Sequence, residues 1–159
     1  MEEEVASLLN KHRLTIGVAE SATGGLLSHL ITDVPGSSNY FVGSVVAYAN
    51  EAKISILGVK ESTIEQYGPV SHQTAEEMAA GVRGLMNVDI ALATTGIAGP
   101  SGAMPGKPVG LVYIALASER GTKVQEFVFQ GDRWQNKRAF SQAALGMLKE
   151  ELGSWMSSS

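Results

Sequence analysis

Val18-Ala19-Glu20-Ser21-Ala22-Thr23-Gly24-Gly25 is the stretch where this chain changes character. An apolar, β-branched run over residues 14–19 stops at Glu20-Ser21, and two glycines follow. Leu26, Leu27, Leu30 and Ile31 then recur at helical spacing. A strand that turns at once into a helix leaves its junction at the carboxyl edge of a sheet, where open α/β folds bind ligands. The helix start adds free N–H groups and a partial positive charge. Ser21 therefore has two readings. It is a nucleophile with an oxyanion hole beside it, or it is an ordinary helix cap.

The bulk properties narrow the class. At 159 residues, with 44% hydrophobic and 18% charged, the expectation is one globular domain over residues 1–159 with a full core. No apolar run approaches the roughly 20 residues that span a bilayer. The acidic start Met1-Glu2-Glu3-Glu4 is the reverse of a signal or transit peptide. The expected location is the cytoplasm, with no membrane partner. The absence of cysteine excludes a disulfide framework, a thiol nucleophile and a cysteine-ligated zinc. A net charge of −4 argues against a nucleic-acid partner, yet leaves room for a local basic pocket around a small anion.

Along the chain, residues 2–11 read as a short amphipathic helix and residues 14–19 as the first strand. A second helix is expected over 23–32, and a strand over 40–49 interrupted by Gly43. Asn50 is expected to cap a helix that Gly58 ends. A helical turn over 62–67 precedes a long helix over 71–86, opened by Ser71 or Thr74. Residues 88–94 form a strand that runs into a Gly- and Pro-rich loop. Residues 109–117 and 124–129 make a hairpin across 119–122. Asp132 opens the last helix, to about residue 152, and residues 157–159 read as a frayed tail. Alternating strands and helices followed by a hairpin predict an α/β fold, a three-layer α/β/α sandwich with a mixed, mostly parallel sheet.

Three polar or Gly-rich junctions follow apolar strands, at residues 20–25, 48–53 and 94–102, and in such a sheet they can share one cleft. A serine hydroxyl needs a base. His12, His29 and His72 are poorly placed for this. Lys53 sits one turn into a helix close to a strand end, and a Ser–Lys pair requires its amine to be neutral, through burial or nearby cations. The plainer alternative is a solvated lysine paired with Glu51. Tyr48 either orients the nucleophile and lies against a planar ligand, or is a half-buried aromatic. Glu20 is a capping carboxylate, or it orients Lys53 and attracts a cationic ring. The 95–102 loop has the small residues of an anion cradle but lacks the Gly-Lys-Ser/Thr ending of a Walker loop. Asp132 reads as a cap, while Arg133 and Arg138 offer a phosphate clamp.

Five blocks, in order, carry a resemblance: Ala19-Glu20-Ser21-x-Thr23-Gly24-Gly25, Tyr48-x-Asn50-Glu51-Ala52-Lys53, Gly96-Ile97-Ala98-Gly99-Pro100, Lys107-Pro108-Val109-Gly110 and Gly131-Asp132-Arg133. Over nearly the whole chain the sequence resembles the CinA C-terminal domain family, in its stand-alone PncC-type form. The resemblance implies a nicotinamide-nucleotide amidohydrolase of pyridine-nucleotide salvage, converting nicotinamide mononucleotide (NMN) to nicotinate mononucleotide and ammonia. It implies Ser21, Lys53 and Tyr48 as catalytic residues, and Thr95, Arg133 and Arg138 as further site residues. Around the substrate the expected set adds Glu20, Thr23, Gly24, Gly25, Gly96 and Gly99. The N–H groups of residues 22–24 would hold the oxyanion, and Glu20 or the face of Tyr48 would favour the pyridinium ring. The family implies a homodimer or higher homo-oligomer, with no metal and no other cofactor.

Two departures stand out. Ala22 occupies a position where cysteine is common, and Lys137 one where arginine is common. Many relatives carry an N-terminal molybdopterin-binding-like domain tied to ADP-ribose hydrolysis, which is not expected at this length. Two other readings compete. One is a non-catalytic nucleotide-binding accessory protein of the competence- or damage-inducible type. The other is an amidase for a different small amide, for which the phosphate would not matter.

Overall fold

The computed structural model describes residues 1–155, and the tail expected at 157–159 lies outside them. The elements in chain order are α1 (Glu2–His12), β1 (Ile16–Glu20), α2 (Leu26–Thr32), β2 (Phe41–Val46), α3 (Asn50–Leu57), α4 (Glu61–Tyr67), α5 (His72–Met86), β3 (Ile90–Gly96), β4 (Leu111–Ser118), β5 (Gly121–Val128) and α6 (Arg133–Trp155). The strands form one sheet in the order β2-β1-β3-β4-β5. β1 pairs in parallel with both β2 and β3, and β4 is antiparallel to β3 and β5. Only β4 is reversed, so the sheet is mixed and mostly parallel, as the sequence predicts.

The two faces of the sheet are built from different side chains. Ile16, Val18, Leu92 and Ile114 point into a core closed by Val5 and Leu9 of α1, Leu27 and Ile31 of α2, and Phe140 and Leu148 of α6. The other face is lined by Ala19, Ala91, Ala93, Ala115 and Ala117, against Leu57 of α3 and Met78 and Val82 of α5. The alternation within each strand makes this division, because successive side chains leave on opposite sides. The helices on the alanine face also pack closely on each other. A Cβ on Gly81 of α5 would stand 1.8 Å from the Leu57 carbonyl oxygen.

The connections place the site. From β1 the chain crosses over the α2 face to β2, and then returns over the α5 face to β3 on the other side of β1. The chain thus leaves adjacent strands in opposite directions, and a crevice opens between the carboxyl ends of β1 and β3.

Several boundaries differ from the sequence reading. α2 begins at Leu26 rather than at residue 23, because Gly24 (φ 59°) and Gly25 (φ 104°) turn the chain through the left-handed region first. Ala49, not Asn50, is the N-cap of α3, and it makes no side-chain cap bond. Ser71 is the cap of α5, its hydroxyl accepting from the Thr74 N–H. Asp132 does cap α6, in a reciprocal box: its carboxylate accepts from the Gln135 N–H at 2.8 Å, and its own N–H donates to the Gln135 side chain at 2.9 Å.

Candidate active site

The end of β1 sends two neighbouring side chains to opposite faces. Glu20 is fully buried on the α2 side. Its carboxylate accepts from the N–H groups of Gly25 (3.2 Å), Leu27 (2.9 Å) and Ser28 (3.0 Å), and from the Ser28 hydroxyl (2.5 Å). Ser21 turns towards the crevice. Its N–H donates to the Thr94 carbonyl at 3.1 Å, and its own carbonyl accepts from Gly24 at 3.0 Å. Thr23 and Thr94 join beneath it through their hydroxyls at 2.8 Å. Among the described residues, the N–H groups of Ala22 and Thr23 have no acceptor.

Lys53 enters from α3. Its side chain is 1% exposed, and Nζ donates to Ser21 Oγ at 3.1 Å and to the Tyr48 carbonyl at 3.0 Å. Glu51 stays at the surface and makes no pair with it. With water stripped away and no anion supplied, burial lowers the Lys53 pKa from 10.5 to about 8. A large share of the amine is then neutral just above physiological pH.

Around this pair lies a cleft of about 290 Å³. The loop after β3 and Pro69-Val70, between α4 and α5, both line it. Thr95 ties the two together, its hydroxyl donating to the Pro69 carbonyl at 2.6 Å. The loop needs its glycines. A Cβ on Gly96 would stand 2.7 Å from the Leu111 carbonyl oxygen, and Gly99 combines φ +86° with a Val109 methyl at 2.4 Å from a Cβ. At the mouth, Arg133 donates to the Gly99 carbonyl at 2.7 Å and to the Tyr48 hydroxyl at 2.9 Å. Among the described residues no aspartate or glutamate lines the cleft, whereas Lys53 and Arg133 do.

The structure therefore gathers Ser21, Lys53, Tyr48, Thr95, Gly96, Gly99 and Arg133 around one cavity. Thr23, Gly24 and Gly25 build the turn that presents Ser21 and do not line it. Two expectations are corrected. Glu20 neither orients Lys53 nor faces the cleft, because its oxygens are occupied by the start of α2. Arg138 is also elsewhere. Five residues beyond Arg133 is about 140° around a helix, and its guanidinium lies 5.4 Å from the Trp134 ring, in a depression beside α1 and α2. Lys137, one residue earlier, stays on the near side, with Nζ 3.3 Å from the place of a Gly24 Cβ. The oxyanion expectation narrows as well, since Gly24 N–H is already taken by Ser21.

The sequence reading missed two contributors. Asn136 is buried, and its amide donates to the carbonyls of Ala98 and Gly131, both at 3.0 Å, clamping the loop onto α6. A polar residue four before Phe140, on the core face of an amphipathic helix, was its signal. Pro69-Val70 gave none, since a short link between two helices reads only as a turn.

Comparison with known proteins agrees with this architecture. The CinA C-terminal domain family matches residues 1–152. The chain belongs to the CinA C-terminal domain family. A CinA-like protein from Desulforapulum autotrophicum is 50% identical over 154 residues, covering 96% of this chain and 36% of that protein. The chain spans about a third of the length of the curated relatives it matches. Among solved structures, a CinA superfamily protein from Klebsiella pneumoniae superposes with a TM-score of 0.94 at 30% identity, covering 97% of this chain and 96% of the other. A competence/damage inducible protein from Agrobacterium tumefaciens gives 0.90 at 36% identity, covering 96% and 94%. Like the rest of this CinA domain, α6 carries too many polar residues to be a span: no helix among the described residues is long and apolar enough to cross a membrane.

Proposed function

We propose that this CinA domain is a nicotinamide-nucleotide amidohydrolase that converts NMN to nicotinate mononucleotide and ammonia, with Ser21 as nucleophile and Lys53 as base. The observation that carries the reading is the buried Lys53 amine, 3.1 Å from the Ser21 hydroxyl and without a carboxylate partner. A structural lysine is paired or solvated; this one is neither.

With the amine neutral, its lone pair takes the Ser21 proton as Oγ attacks the carboxamide carbon, while an N–H remains on the Tyr48 carbonyl. The free N–H of Ala22, which follows directly after the nucleophile and lines the cleft, suits the oxyanion. Lys53 then returns the proton to the departing ammonia, and water releases the acyl group by the same proton path. The cationic mouth at Arg133, with Lys137 near Gly24, favours the phosphate end of the substrate. The face of Tyr48 is available to the pyridinium ring, being 59% exposed.

The test is ammonia release from NMN by the purified protein without added metal, in wild type and Ser21→Ala. Activity that depends on Ser21 supports the reading, and full activity in the variant overturns the serine mechanism. A protein that is thermally stabilised by NMN but forms no product would be a nucleotide-binding module instead. Equal rates on nicotinamide and on NMN would point to a general small amidase.

A further inference from the structure

We propose that the Ser21–Lys53 end of the cleft is a receptor for a planar carboxylate, so that the acid formed by amide hydrolysis is retained there as the counter-ion of Lys53. The inference rests on the amidohydrolase reading above. Its basis is geometric. Among the described residues the buried Nζ has two partners, the Ser21 hydroxyl and the Tyr48 carbonyl, and both are neutral. Among the described residues no carboxylate lines the cleft.

The charged groups on the surrounding elements are all engaged elsewhere or at the surface. Glu20 of β1 caps α2 on the opposite face, and Glu51 of α3 is exposed. Glu61 and Glu65 of α4 are exposed. On α5, His72 and Glu76 face each other, Glu77 accepts from Lys60 N–H and the Thr63 hydroxyl, and Arg83 donates to the Asp89 carbonyl. On α6, Arg133 is itself a cation at the mouth, Lys137 is a second cation beside Gly24, and Asp132 is engaged with Gln135. An ammonium at Lys53 therefore lacks an anion, and a carbonyl carbon attacked by Ser21 Oγ brings its oxygens within reach of Nζ.

The chemistry supplies that anion. Water adds to the acyl carbonyl while Lys53 takes one of its protons; the C–Oγ bond then breaks, and Oγ recovers the proton from Lys53. The product at that instant is a neutral carboxylic acid beside a neutral amine. A carboxylic acid with a pKa of about 4 gives its proton to Nζ. In sum, amide and water become ammonia and a carboxylate, with one proton gained by Lys53. The neutral carboxamide of the substrate has no such attraction. The product is held more tightly than the substrate wherever Lys53 is protonated, and its release separates a buried ion pair.

Calorimetric titration of Ser21→Ala, which cannot turn over, compares nicotinate mononucleotide with NMN at pH 7 and pH 9.5. The acid is expected to bind more tightly than the amide at pH 7 and to lose roughly 30-fold in affinity by pH 9.5, with proton uptake on binding. The amide carries the same phosphate and should change little. In Lys53→Met the preference should vanish. In wild type, product inhibition reads the same quantity without a binding-site variant, as a Ki below KM at pH 7 that rises with pH. Equal affinities in a protein that does bind NMN, or a preference that survives Lys53→Met, overturn the inference and leave the amidohydrolase reading intact. Failure of both nucleotides to bind overturns the two together.

Discussion

Arg133 and Tyr48 meet across the mouth of the cleft, the guanidinium donating to the phenol oxygen at 2.9 Å. The same guanidinium holds the Gly99 carbonyl, so helix, strand end and loop converge on one side chain. Both acceptors are neutral, and neither satisfies the charge of the arginine. An arriving phosphate offers two anionic oxygens in the geometry a guanidinium prefers. Replacing Arg133 with Met should raise KM for NMN by about 10- to 100-fold and change kcat less. Nicotinamide riboside, without phosphate, should be affected much less. Steady-state kinetics on the two substrates separate a phosphate contact from a general loosening of the site.

In the proposed mechanism Lys53 serves as a base, and a lysine does so only when it is neutral. With its pKa near 8, kcat/KM for NMN should climb tenfold per pH unit below that value and level off above it. Lys53→Arg keeps the charge but is protonated at every accessible pH, so activity should be lost across the range. A flat profile between pH 6.5 and 9 in wild type would remove Lys53 from the role of base.

The same lysine makes the fold pH-dependent. Unfolded, it keeps its proton up to about 10.5; folded, only to about 8. Below pH 8 both states are protonated, and the native state carries the full cost of a buried ammonium. That cost disappears as pH rises from 8 to 10.5. Lys53→Met should therefore be the more stable protein at pH 7, by about 2 kcal/mol after allowing for lost hydrogen bonds. The advantage should shrink towards pH 10.5. Denaturant melts at both pH values measure this, and a variant less stable at pH 7 would contradict it.

Replacing Glu20 should lower stability rather than raise it. Its four accepted bonds tie the turn and α2 to the sheet. Glu20→Gln puts an amide donor against an N–H donor and removes the charge at the helix start. The expected loss is about 2–4 kcal/mol of stability, with KM for NMN little changed in the folded protein. A raised KM with an unchanged melting temperature would instead mean that Glu20 meets the substrate.

The layered fold was readable because periodicity is a local property. Alternating apolar runs and helical spacings stand in the sequence whatever the chain does next. The site was half readable for a related reason. Ser21, Tyr48 and the Thr95 loop all follow strand ends, and strand ends share an edge. The burial of Lys53 was not readable, because it depends on how α3 lies against the crevice, and an exposed helix lysine has the same local sequence. Arg138 was misplaced because two arginines five apart look like neighbours on paper but sit on different sides of a helix. The cap role of Glu20 was one of two alternatives, and the choice turned on whether α2 started at residue 23 or after the two glycines.

The opposed directions of Glu20 and Ser21 give strand pairing a chemical reading. β1 lies between two parallel partners and shows its side chains with a period of two. A slip of one residue would exchange the pair. The hydroxyl would be sealed beneath α2, and a carboxylate would stand beside Lys53, holding its proton and removing the base. On the proposed reading, turnover is then a sensor of registry: a substitution far from the cleft that let β1 shift against β2 or β3 would abolish NMN hydrolysis while the fold still melted cooperatively.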